Sequence, residues 1–245
     1  MPPSSRSYAL TDLSWVQVAE QLTRDSRLIV PVGACDQYGP HLPLGATMIV
    51  SDRLACDLAG EFGVLRAPSF SYGVTLPAER IFAGSAGVRE KTLNRALNDL
   101  LSAWEEQGFT EFILITAQSY DAHLESLTTV AAREARVRVI NALAVDPPSN
   151  SPGPRGPEHG GELLTSLLLH LCPDVVQMDA AEDIPPPPPR FMGLGRTRLT
   201  KVPAESSGAI GWPTHASAEA GEDIYAHILQ KIREKVFLSP DDTTL

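Results

Sequence analysis

Four short segments gather the residues able to do chemistry. The first, Pro31 to Thr47 (PVGACDQYGPHLPLGAT), holds Asp36, Tyr38, His41 and Thr47. The second, around Ile115 to Asp121 (ITAQSYD), holds Gln118, Tyr120 and Asp121, with His123 just beyond. The third, Glu158 to Ser166 (EHGGELLTS), places Glu162 three residues after His159. The fourth, Ser206 to Ile224, carries Trp212. An imidazole titrates near neutrality, which suits His159 to general acid–base work; otherwise it caps the helix that starts near Gly161. Asp36 either orients that histidine, acts as base or binds a cationic nitrogen, or else it satisfies backbone amides in its own loop. Tyr38 and Tyr120 supply two phenols that need partners when buried and can donate to an oxyanion. Gln118 suits a substrate carbonyl or amide. Glu162, one turn from His159, shares its helix face or points to solvent. Arg80 can grip a carboxylate through two hydrogen bonds. Cys35 sits beside an acid, which raises rather than lowers a thiol's pKa, so it reads as a packed thiol and not a nucleophile.

The elements that must position these groups follow from apolar spacing. Leu28 to Ala34 and Phe112 to Thr116 are short apolar runs that end in polar loops, the pattern of buried parallel strands. Polar groups at the C-terminal ends of such strands are where open α/β sheets bind ligands. Val64 to Pro68 and Val137 to Val145 are further strand candidates. Helical spacing runs over Leu10 to Asp25 (with Thr11 or Asp12 as cap), Met48 to Phe62, Glu90 to Gln107, Leu124 to Arg136, Gly161 to Leu171 and Ala218 to Val236. Strands alternating with helices predict an α/β sandwich with a mainly parallel central sheet. The 245 residues are read as one domain with Pro-rich loops at about 146–157 and 185–189, the latter a short polyproline II spacer.

Composition excludes several classes. A net charge of −10 lacks the Lys/Arg excess that neutralises phosphates, which argues against a nucleic-acid partner. No window approaches the ~18 apolar residues of a membrane span, and the N-terminal residues lack the apolar core of a secretory signal. Three scattered cysteines form no disulfide framework, and with them the reading is a cytoplasmic protein.

Together the four segments resemble the creatininase family. Pro31 to Thr47 is similar to the family's P-V-G-x-x-E-Q-H-G-x-H-L-P-x-x-x-D. Ile115 to Asp121 sits where the family has N-G-H-x-x-N, and Glu158 to Ser166 resembles H-[AG]-G-x-x-E-T-S. The resemblance implies a three-layer sandwich and a homo-oligomer, a hexamer in the family. It also implies amidohydrolase activity on a small cyclic or N-substituted amide, with two zinc or manganese ions held by carboxylates and imidazoles. By the same resemblance Asp36 takes the first carboxylate position and His159 the third motif's histidine. Tyr38 replaces a histidine, Thr47 the bridging aspartate, Gln118 the second-loop histidine, Tyr120 a glutamate and Leu164 the third motif's glutamate. Arg80 lies where the family tends to have a histidine. The expectation is therefore a small-molecule enzyme without metal or other cofactor. It would run acid–base chemistry (cyclic amide opening or closing, condensation, dehydration or isomerisation) through His159, Asp36, Tyr38 and Tyr120. Gln118, His41, Thr47, Asp121, Glu162, Arg80 and Trp212 would bind substrate. Two alternatives stay open: a silent binding or assembly subunit, and a rewired metallohydrolase with one divalent ion among Asp36, His41, Asp121, His123 or His159.

Overall fold

A computed structural model describes residues 7–144, 158–185 and 207–238. Among these, four strands form one parallel sheet: β1 (Arg27–Pro31), β2 (Leu65–Arg66), β3 (Glu111–Thr116) and β4 (Arg136–Asn141), in the order β2-β1-β3-β4. Six helices cover it: α1 (Trp15–Leu22), α2 (Ala46–Phe62), α3 (Glu90–Glu106), α4 (Asp121–Thr128), α5 (Glu162–Leu171) and α6 (Ala218–Ile232).

Period-two alternation sends successive strand residues to opposite faces, and two apolar cores result. Ile29, Ile113, Ile115 and Ile140 pack with α2, α5 and α6. Leu28, Val30, Phe112, Leu114 and Val139 pack with α1, α3 and α4. This is the three-layer α/β arrangement with the parallel sheet in the middle. The chain leaves β1 for β2 on one side, then crosses to β3 on the other. The loops after β1 and β3 therefore diverge, and such a switch point at the strand ends is where open α/β folds place their ligands.

Several boundaries differ from the periodicity, each for a local reason. The stretch Leu10 to Asp25 is not one helix. A 3₁₀ turn at Leu10–Asp12 precedes α1, which starts at a capping box. The Ser14 hydroxyl accepts from the Gln17 N–H, and the Gln17 side chain accepts from the Ser14 N–H. Ser14, not Thr11 or Asp12, is the cap. Helix α4 ends at Thr128 instead of Arg136, because the Glu105 carboxylate accepts the N–H groups of Arg133, Glu134 and Ala135 and ties that segment into a turn. Helix α6 stops at Ile232 and a π turn, Arg233–Phe237, follows. The loop read at 146–157 lies outside the described residues, as does most of the polyproline run.

Candidate functional site

The loop after β1 turns inward because its backbone is tied on both sides. The Asp36 N–H donates to the Leu44 carbonyl at 2.9 Å, and the Ala86 N–H donates to the Cys35 carbonyl at 2.9 Å. Asp36 is 1% exposed, and its carboxylate accepts the Gln37 N–H at 3.0 Å. Tyr38 reaches across to α2 and to the loop after β3. Its hydroxyl lies 2.8 Å from Thr47 Oγ1 and accepts from Gln118 Nε2 at 3.2 Å. The phenol, the hydroxyl and the amide thus satisfy one another where the resemblance would place an imidazole, a bridging carboxylate and a second imidazole.

His159 stacks on the Tyr38 ring with centroids 4.9 Å apart. Its main chain is clamped by a two-way bridge to Ile210, at 2.9 and 2.7 Å. The ring Nε2 lies 2.7 Å from the Gln37 carbonyl, which can only accept, so Nε2 carries the proton. His159 does not cap α5. The N-cap position of that helix is Gly161, and the Glu158 carboxylate accepts the Leu163 N–H.

Sequence reading missed Glu79. It lies in the 3₁₀ turn Pro77–Ile81, is 2% exposed, and accepts a hydrogen bond from the Gln37 carboxamide. Its Oε2 is 3.8 Å from His159 Nε2. Its neighbour Arg80, expected to bind substrate, points outward and is exposed. A loop has no repeating period to say which of two adjacent charged residues turns in, so no sequence signal separated them.

Electrostatics reassign the proton chemistry. Burial raises Asp36 to about 6, against the pull of the Gln37 N–H and the Ser85 hydroxyl. Burial also raises Glu79 to about 7; the Gln37 amide holds it down and the Asp36 charge pushes it up. Burial lowers His159 to about 4, with the Gln37 carbonyl opposing. The expectation that His159 titrates near neutrality is therefore corrected. At neutral pH its ring is uncharged, and its approach to Glu79 is a dipolar contact rather than an ion pair. Burial raises the Tyr38 phenol well above its ordinary value, so it stays protonated.

The remaining residues from the sequence reading divide. Tyr120 packs with the α3 and α4 core, the opposite sheet face from Tyr38, so the expected pair of phenols does not form. His123 is fully buried and structural: its Nδ1 accepts the Val74 N–H at 3.2 Å, and its Nε2 lies 3.1 Å from Thr116 Oγ1. His41 is buried, with Nε2 at 2.9 Å from Thr165 Oγ1. Asp121 and Glu162 open α4 and α5; Asp121 is half-buried and Glu162 is buried. The Trp212 indole N–H is buried without a hydrogen-bond partner among the described residues, and its ring meets His215 edge-on. Among the described residues, no three His, Cys, Asp or Glu side chains are grouped to hold a metal ion, and no helix is long and apolar enough to cross a membrane.

The shared hydroxyl makes a sharp stability test. In Tyr38→Phe, Thr47 Oγ1 and Gln118 Nε2 lose their common partner inside the protein. The expected cost is about 1–3 kcal/mol, read from the urea midpoint. An unchanged midpoint would show that the trio is not what holds this wall together.

Comparison with known proteins agrees with this architecture. The chain is 26% identical over 257 residues to a creatinine amidohydrolase of Pseudomonas putida, covering 95% of this chain and 97% of that one. It is 28% identical over 219 residues to a mycofactocin precursor peptide peptidase of Mycolicibacterium smegmatis, covering 85% and 83%. A solved creatinine amidohydrolase superposes with a TM-score of 0.78 at 22% identity, covering 98% of this chain and 100% of that one. A creatininase mutant of Zn-Zn type gives 0.77 at 24%, covering 94% and 99%. The sequence profile of the family described as creatinine amidohydrolase matches residues 11–236. The chain belongs to the creatininase family.

Proposed function

We propose that this protein is a small-molecule enzyme that makes or breaks an amide bond, cyclic amide opening or closing above all, by acid–base chemistry without a paired metal site. Asp36 and Glu79 are the proton-transfer pair, and the Tyr38 phenol and the neutral His159 ring orient the reacting group. In ring opening, a water oxygen bonds to the carbonyl carbon and gives its proton to the ionised carboxylate. The ring C–N bond then breaks as the protonated carboxyl gives its proton to nitrogen. Two neighbouring acids raised to about 6 and 7 suit this, because near neutrality the pair tends to hold one proton between them.

One observation carries the reading. Two buried carboxyl groups flank Gln37, and the surrounding donors are a phenol, a hydroxyl and an amide. The one imidazole beside them, His159, has its Nε2 committed to the Gln37 carbonyl, and among the described residues no three His, Cys, Asp or Glu side chains group as a pair of divalent ions would need. The names of the relatives, one for creatinine and one for a precursor peptide, support amide chemistry as the class.

The test is turnover of creatinine and a panel of cyclic amides and short peptides, with metal content measured on the same protein. Turnover is expected to survive chelation with substoichiometric zinc and manganese. Activity lost to chelator and restored by either ion would overturn the metal-independent reading. The burial and mutual hydrogen bonding of these side chains favour a second reading, a silent binding or assembly subunit. Under it, no panel member is converted, and substitutions at Asp36 and Glu79 alter stability alone.

A further inference from the structure

We propose that Gln37 is the positioning residue of this site: its carboxamide holds the Glu79 carboxyl while its main-chain carbonyl holds His159 in the Nε2-protonated form. This rests on the proposed acid–base role of Glu79. Every polar group of Gln37 is engaged. Its Oε1 accepts the Gly39 N–H at 2.8 Å. One Nε2 proton goes to the Gly208 carbonyl at 3.0 Å and the other to Glu79. Its main-chain N–H lies 3.0 Å from Asp36 Oδ1 and 2.9 Å from Ser85 Oγ, and its carbonyl takes the His159 proton at 2.7 Å.

The orientation of the amide is therefore dictated. The edge facing two acceptors must be nitrogen, and the edge facing a backbone N–H must be oxygen. Gly208 permits the approach. It sits at φ +121, and a Cβ there would overlap the Gln37 amide oxygen. A side chain at that position would push the amide from its place beside Glu79. One residue thus reaches both partners through independent groups, so its side chain can be changed without moving the carbonyl that sets the His159 tautomer.

Among the described residues, the charged and titratable groups facing Glu79 are Asp36 and Tyr38 on the loop after β1 and His159 on the segment before α5. Removing the amide donor removes the interaction that favours the Glu79 anion. The experiment is NMR of the full chain, labelled with 13C at glutamate and 15N at histidine. The Glu79 signal is identified by its loss in Glu79→Gln. In Gln37→Leu the Glu79 midpoint is expected to rise, with proton affinity up about tenfold for each pH unit. Gln37→Glu should raise it further, through a second negative charge. In the wild type and in Gln37→Leu, the His159 nitrogens should show the neutral, Nε2-protonated pattern. A Glu79 midpoint unchanged in both variants would overturn the proposal, as would a wild-type His159 protonated at Nδ1. The wild-type histidine measurement stands even where a variant fails to fold. Chelator-sensitive turnover would sink the functional reading while leaving these signals as they are.

Discussion

Replacing Glu79 by glutamine is expected to lower turnover by about 10²–10⁴-fold while making the protein more stable at neutral pH. The two effects share one cause. Burial raises the Glu79 carboxyl from 4.5 to about 7 in the folded chain, so the native state binds its proton more tightly than the unfolded state does. The stability tied to that proton is complete below 4.5 and lost as pH rises through 7. Above neutrality the ionised, buried carboxylate is a burden on the order of 3 kcal/mol. Glutamine cannot ionise, keeps an acceptor for the Gln37 amide and escapes that burden. The gain should appear as pH rises above about 4.5 and level off past 7.

His159 and His123 act in the opposite sense. Both fall from 6.5 to about 4, so their stability is full above 6.5 and declines as pH falls toward 4. In the wild type, the acids and the histidines oppose each other across this window, so their contributions to the pH dependence should largely offset. In Glu79→Gln the histidines are less opposed, and acid lability should steepen. Urea midpoints measured from pH 4 to 8 for both proteins check this. Parallel curves would show that Glu79 is not ionising inside the fold, and unchanged turnover would remove it from the chemistry.

Gly160→Ala is expected to cost on the order of 3 kcal/mol or more and to abolish turnover. Gly160 sits at φ +64, where a Cβ is already strained, and that Cβ would overlap the Tyr38 main-chain carbonyl. Backbone on one side and a clamped bridge at His159 on the other leave no flexible side chain to give way. Relief would have to come from pulling the 158–161 segment off Tyr38, which separates the stacked rings and breaks the hydrogen bond from His159 to Gln37. The urea midpoint and turnover read the two consequences separately. A stable, active variant would show that the close approach of these segments is not required.

Much of this architecture is legible in the chain itself. The runs at Leu28 and Phe112 predict buried parallel strands because alternate residues must satisfy two opposed cores. The same runs mark the loops bearing Asp36, Tyr38 and Gln118, because those loops begin where the apolar pattern stops. The motif around His159 is equally local. What the order of residues cannot express is which side chain turns inward across a loop, or how much water it loses. Glu79 and Arg80 are adjacent and both charged; only packing of the 3₁₀ turn against Gln37 buries one and exposes the other. Tyr38 and Tyr120 follow similar strand ends, yet one packs on each face of the sheet. The same holds for proton affinity. His159 reads as a neutral-pH base by residue type, whereas desolvation by segments far away in the chain makes it a weak one and passes that range to two acids. Strand, helix and motif are short-range properties that a sequence can specify on its own. Burial and charge proximity are long-range sums, and only the assembled tertiary structure evaluates them.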